Sequence, residues 1–117
     1  MNYLMIGAMS GCLVVVMGAF GAHALKEILD DYGKSIYNKA VLYHMLHSIA
    51  LLILGLINKI QPEISLSISG WSFFFGIILF SGSLYILAIT GIKSLGMITP
   101  VGGMLFIIGW IFLFMKV

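Results

Sequence analysis

The chain has 117 residues, 62% of them hydrophobic and only 9% charged, with a net charge of +2. A soluble domain carries roughly a quarter charged residues, so this composition excludes a water-soluble globule and points to an all-α integral membrane protein whose backbone is satisfied within its own helices. The six cations are scattered, which argues against nucleic acid as a partner, and the single cysteine, Cys12, rules out an internal disulfide and any multi-cysteine metal centre.

Tyr3 to Leu25 contains no charge over 23 residues, enough to cross a hydrocarbon core of about 30 Å. Within this first span Gly7 and Gly11 stand four apart, and Gly18 with Ala22 repeats the spacing, which predicts a face that a neighbouring helix can approach closely. Met9-Ser10-Gly11-Cys12 has a superficial likeness to a lipoprotein cleavage box. No cation precedes it and the apolar run continues through Leu13 to Met17, so the span is expected to be mature structure and not a cleaved signal.

Lys26 to Lys39 holds most of the charged side chains. Leu25, Ile28, Leu29, Tyr32 and Ile36 recur at helical spacing while Glu27, Asp30, Asp31 and Lys34 take other faces, predicting a short amphipathic segment at the membrane surface, interrupted near Gly33. The second span is expected over Ala40 to Ile57, and its first half is unusual in placing Tyr43, His44, His47 and Ser48 among aliphatic residues at same-face spacings. Asn58 to Glu63, with Lys59 and Pro62, forms a tight connection. The third span runs from Leu66 to Ile89, with Ser72 and Gly76 at a small-residue spacing and Ser81-Gly82-Ser83-Leu84-Tyr85 in its later half. Thr90 to Gly96, with Lys93, leads to a fourth span over Met97 to Met115, where Thr99-Pro100 marks either a cap with a first-turn proline or a kink. Gly102, Gly103 and Gly109 lighten one side of it.

Folded as antiparallel neighbours in a four-helix bundle, the spans gather polar side chains into one half. His23, Tyr43, His44, His47, Ser48, Ser81, Ser83, Tyr85, Thr90 and Thr99 are placed in the inner half, and Ser10, Cys12 and Ser72 in the outer. Ionisable groups within a membrane pair with one another or mark a site. Three readings follow: interhelical hydrogen bonds worth about 0.6 kcal/mol each, a pocket for a lipid headgroup, small polar ligand or proton, or a three-histidine zinc centre. His44 and His47 make only half a metal site, and His23 would have to reach them across the first connection, so neither metal nor cofactor is expected. No Gly-x-Ser-x-Gly, no His-Glu-x-x-His and no carboxylate within a span suggests an enzyme. The expected partners are membrane lipids together with a second copy of the chain or another membrane protein, the alternative being a subunit of an oligomeric small-solute transporter or channel.

Lys26, Lys34, Lys39 and Lys93 fall on the first and third connections, against Lys59 and Lys116 on the opposite side. This bias places both termini outside an inner membrane, with Trp71 and Trp110 as outer anchors.

Four stretches carry a resemblance: Gly-Ala-Phe-Gly-Ala-His-Ala-Leu at Gly18 to Leu25, Tyr43-x-Met45-x-His47 followed by Ala50-Leu51, Phe80-Ser81-Gly82-Ser83-Leu84-Tyr85, and Thr99-Pro100-x-Gly102-Gly103. Together they resemble the YgdD/YwdK-like family of small four-span bacterial membrane proteins, catalogued as a domain of unknown function, over nearly the whole chain. The resemblance implies an all-helical inner-membrane protein. It places His23 and His47 in the family pattern, with His44 where a glutamine is common, and it brings no activity, substrate or catalytic residue.

Overall fold

The computed structural model describes residues 1–117 as helices and turns. The elements are α1 (Tyr3–His23), α2 (Asp31–Ile60), α3 (Ser67–Gly76), a π-helical turn (Ile77–Gly82), α4 (Ser83–Thr90), a 3-10 turn (Lys93–Met97) and α5 (Thr99–Lys116). Because α3, the π turn and α4 run on without a break, four helices of 21, 30, 24 and 24 residues are long and apolar enough to cross a membrane.

Local chemistry sets the ends. The Asn2 side chain accepts the Met5 N–H at 3.1 Å to open α1, and Asp30 accepts the Gly33 N–H at 2.7 Å to open α2, each satisfying a donor that the first turn leaves free. Gly91 closes α4 in the left-handed region at φ 71°. Thr99 is the first residue of α5 and Pro100 lies in its first turn, where the missing N–H costs nothing, so the Thr-Pro pair begins the helix and does not kink it.

Of the amphipathic stretch between the first two spans, the part from Asp31 on belongs to α2, which Gly33 does not interrupt, while Lys26 to Asp30 form turns and not helix. Leu25, Leu29, Ile36 and Tyr37 turn inward to pack with Leu84, Tyr85 and Leu87, while Ile28 and Tyr32 remain exposed. The Asp30 cap is the physical reason: it lets the helix start at Asp31 instead of Ala40. His44 therefore lies thirteen residues, about 20 Å, into α2, near the centre of the bundle.

α2 is the central helix. α1 packs extensively on α2 alone, α2 also packs on α3, the π turn and α4, and α5 packs on α3 and the π turn. The result is a flattened bundle of 49 × 26 × 17 Å. One apolar cluster, around Leu51, Leu54, Phe73, Phe106 and Leu113, fills the end near the termini. The second, around Leu29, Tyr37, Leu84 and Leu87, fills the other. Between them lies a layer of buried polar residues, His44, His47, Ser48 and Ser81.

Close approach is managed by glycine where two backbones meet. A Cβ on Gly7 would lie 2.9 Å from the Leu52 backbone nitrogen, and one on Gly55 would lie 2.9 Å from that of Leu4, so α1 and α2 nearly touch there. Gly76 and Gly109 lie under the rings of Phe106 and Phe73, and Gly102 sits directly on the Phe80 backbone. The other expected packing positions behave differently. Gly11 faces open space, Gly18 makes only ordinary contact with Val41 at 3.8 Å, and Ala22 is exposed. The seam that α1 offers to α2 is Gly7, Ser10, Val14, Met17 and Gly21, a 3-4 spacing. Gly11 and Gly18 each stand one residue, about 100°, off it.

Candidate functional site: a polar layer beside a lateral groove

Donor and acceptor capacities fix the proton arrangement around His44. Ser48 donates to the His44 carbonyl at 2.7 Å, so its oxygen accepts from Ser10 at 2.6 Å. With that proton committed, Ser10 has only lone pairs to offer His44 Nε2 at 3.1 Å, and this ring nitrogen carries the hydrogen. Nδ1 is then an acceptor, and the Tyr85 hydroxyl donates to it at 2.9 Å. The chain Tyr85, His44, Ser10, Ser48 thus ties α4, α2 and α1 together with a neutral imidazole and no polar atom left over.

His47 is solved independently. The Trp110 indole N–H can only donate, and it does so to His47 Nε2 at 3.0 Å, so Nδ1 bears the proton and donates to the Tyr43 carbonyl at 2.8 Å. The ring lies flat on Phe106, centroids 3.5 Å apart and planes 6° from parallel, with Phe73 at 5.4 Å. Further along, Ser81 donates to the Ala40 carbonyl at 2.8 Å, and Ser83 meets Thr99 at 2.6 Å, joining α4 to α5.

The expected cluster is therefore resolved into separate hydrogen-bond networks. His44, Ser48 and Tyr85 form one centre, with Ser81 of the π turn bonded nearby to the Ala40 carbonyl of α2, while His47, Ser83 and Thr99 work elsewhere. Tyr43 contributes its carbonyl and a ring packed on Phe80 at 4.6 Å; its hydroxyl joins neither network. His23 is exposed at the end of α1 and does not join the cluster, because the turn after α1 carries the chain away before α2 begins. Thr90 is likewise exposed, bonded to the Ile86 carbonyl of its own helix. The three histidines do not converge: the ring nitrogens of His44 face Tyr85 and Ser10, and those of His47 face Tyr43 and Trp110.

Two participants were assigned elsewhere by the sequence. Ser10, placed in the outer half, meets His44 and Ser48 because α2 starts earlier than expected and brings His44 to its level. Trp110, read as an outer anchor, turns its indole N–H inward to His47. Tyr37 also escaped notice: its hydroxyl donates to the Met17 carbonyl at 2.5 Å and its ring sits against Gly21, clamping α1 to α2. The 3-4 seam of small and polar residues on α1 was the signal that could have found Ser10.

Beside the polar layer, α1 and the third span leave a groove of about 580 Å³, walled by Met9, Leu13, Val16, Phe74 and Ile78, with Ser10 and His44 in its floor. A second recess of about 390 Å³ shares Leu13, His44, Ile77 and Ile78 with it and continues past Tyr85 to Leu95 and Ile98. The two form one track. From Phe74 to Ile86 it follows about 18 Å of helix.

These helices and their lipid-facing apolar surface define a small polytopic α-helical membrane protein. A model described as "Protein of unknown function (DUF423)" matches residues 17–103. The chain belongs to this family. It is 49% identical over 111 residues to a UPF0382 membrane protein of Staphylococcus epidermidis, covering 95% of this chain and 90% of the relative. A UPF0382 membrane protein of Staphylococcus aureus is 50% identical over the same shares, and YwdK, a UPF0382 membrane protein of Bacillus subtilis, is 44% identical over 93% and 89%. No solved structure matches the chain.

Proposed function

We propose that the protein is a non-enzymatic component of the inner membrane that holds a lipid acyl chain in the track between α1 and the third span. The observation that carries this is the track itself. It is lined almost wholly by apolar side chains, and the polar atoms in its floor are already bonded to one another, so hydrocarbon is the occupant that its walls can receive. Its length of about 18 Å is close to one leaflet, half of a core of about 30 Å. Because α1 is packed mainly on α2, the track opens sideways to lipid.

A diazirine-bearing phospholipid in proteoliposomes tests it. Crosslinks are expected to concentrate on Met9, Leu13 and Ile78, and Leu13→Trp, which fills the track, is expected to remove them without loss of the fold. Equal labelling of Phe114, which is 82% exposed away from the track, would make the track ordinary lipid-facing surface. A protein-dependent solute flux would favour the oligomeric transporter instead.

The same reading places both termini outside. Asp30 and Lys93 line one cavity, so the first and third connections share an end, and this end carries Lys26, Lys34, Lys39 and Lys93, which favours the cytoplasmic side. In a Cys12→Ala background, a cysteine at Val117 is expected to react with an impermeant maleimide in intact cells and one at Lys93 is not. The reverse pattern would invert the topology.

A further inference from the structure

The end of the bundle that carries the first and third connections has a cavity that the acyl-chain reading does not use. It measures about 370 Å³ and lies between the opening of α2 and the last turn of α4. None of its lining residues belongs to the track described above. Leu29, Ile36 and Leu87 give it an apolar wall, and Asp30, Thr90 and Lys93 its polar part.

Asp30 and Lys93 line this one cavity without forming an ion pair. An acid and a base that share a space but not a contact leave room for something between them that carries both charges. The backbone sets neither sign, because the Asp30 carboxylate itself caps the amide end of α2 at 2.7 Å and Lys93 follows the carbonyl end of α4. Gly33, in the first turn of α2, lies so near the end of α4 that a Cβ on it would be 3.4 Å from the Ala88 carbonyl oxygen. The amide end of α2 therefore stands beside the carbonyl end of α4 and the two largely cancel, which leaves the Asp30 and Lys93 side chains to set the polarity of the cavity. A simple anion or cation would be attracted by half of this cavity and repelled by the other half. A zwitterion satisfies both.

We infer that this cavity binds a primary-amine phosphate zwitterion, the ammonium toward the Asp30 carboxylate and the phosphate toward the Lys93 ammonium. The same chemistry occurs in an ethanolamine phospholipid headgroup and in free phosphoethanolamine. Ile28 and Ile89, 71% and 47% exposed on the lining of the same cavity, offer apolar surface over which lipid chains can continue, and this favours the membrane-bound source.

Native mass spectrometry of the full chain in mild detergent, with equal amounts of phosphatidylethanolamine, phosphatidylcholine and phosphatidylglycerol added, reads the preference directly. The ethanolamine lipid is expected to be retained over the glycerol lipid by about fivefold, the upper worth of one partly exposed ion pair. Choline lipid is expected to bind less well, since its quaternary ammonium donates no hydrogen bond. Asp30→Asn keeps an oxygen to cap α2 and removes only the charge, so it tests the site without unfolding the helix; it is expected to erase the ethanolamine preference. Lys93→Gln is expected to reduce retention of all three lipids. Asp31→Asn makes the same charge change beside the cavity without lining it, and is expected to change nothing. Preference for the glycerol lipid in the wild type, or an unaltered ethanolamine preference in Asp30→Asn, would overturn the inference. Displacement by soluble phosphoethanolamine would identify a free zwitterion as the ligand, and retention of the lipid against it would identify the headgroup.

Discussion

Replacing His47 by alanine is expected to lower the stability of the bundle by about 3 kcal/mol or more, within the range for removing a fully buried aromatic ring. His47 is 1% exposed and its ring fills the space among Phe106, Phe73 and Trp110. Two hydrogen bonds are lost with it, but magnitudes decide which loss dominates. An interhelical hydrogen bond in a membrane averages about 0.6 kcal/mol, well below the packing term. His47→Phe keeps an aromatic ring in the stack, somewhat larger than imidazole, and strands the Trp110 indole N–H, so it is expected to cost less, about 1–2 kcal/mol. Reversible unfolding in mixed detergent micelles orders the pair. Equal losses in the two variants would show that the histidine nitrogens, and not the ring, hold this layer together.

The same distinction between ring and nitrogen explains how much of the molecule was legible in the sequence. The four spans were, because uncharged runs of this length have no other stable place to be. The glycines at Gly7, Gly76, Gly102 and Gly109 were also legible as packing positions, since small residues in membrane helices let backbones meet. What periodicity could not show was phase. The π turn at Ile77–Gly82 adds backbone to one turn of the third span, and no side-chain pattern announces it. It matters because it stands where Ser81 reaches the Ala40 carbonyl, just before Tyr85 reaches His44.

Depth was the second quantity out of reach. Charge count put the boundary of the second span at Ala40, whereas a single capping bond from Asp30 to Gly33 moves the helix start to Asp31. That shift carries the histidines from an interfacial position to the middle of the bundle. It sets the cluster at the level of Ser10, at mid-bundle, instead of near the headgroups. Headgroup chemistry, one of three readings of the polar cluster, is proposed for Asp30 and Lys93, which read in the sequence as ordinary connection charges.

Gly102→Ala is expected to destabilise the bundle by about 3 kcal/mol, the upper part of the usual range for overpacking, because the added carbon meets backbone. Built on Gly102, a Cβ falls on the Phe80 amide nitrogen and lies 2.7 Å from its Cα. A flexible side chain could rotate away from it. The π turn cannot, since it is pinned by Ser81 to the Ala40 carbonyl at 2.8 Å and by the Ser83 bond to the Phe80 carbonyl at 3.0 Å. The strain has to be relieved by moving α5 outward, which lengthens the Ser83–Thr99 contact of 2.6 Å and parts Phe106 from His47. Gly11→Ala adds the same carbon to α1 in open space, where the better helix propensity of alanine should keep the change within about 0.5 kcal/mol. Thermal melts of both variants in one detergent, followed by tryptophan emission from Trp110, measure the difference. If the two glycines prove equally replaceable, the third span and α5 are not in backbone contact and the layer around His47 is held from the α2 side alone.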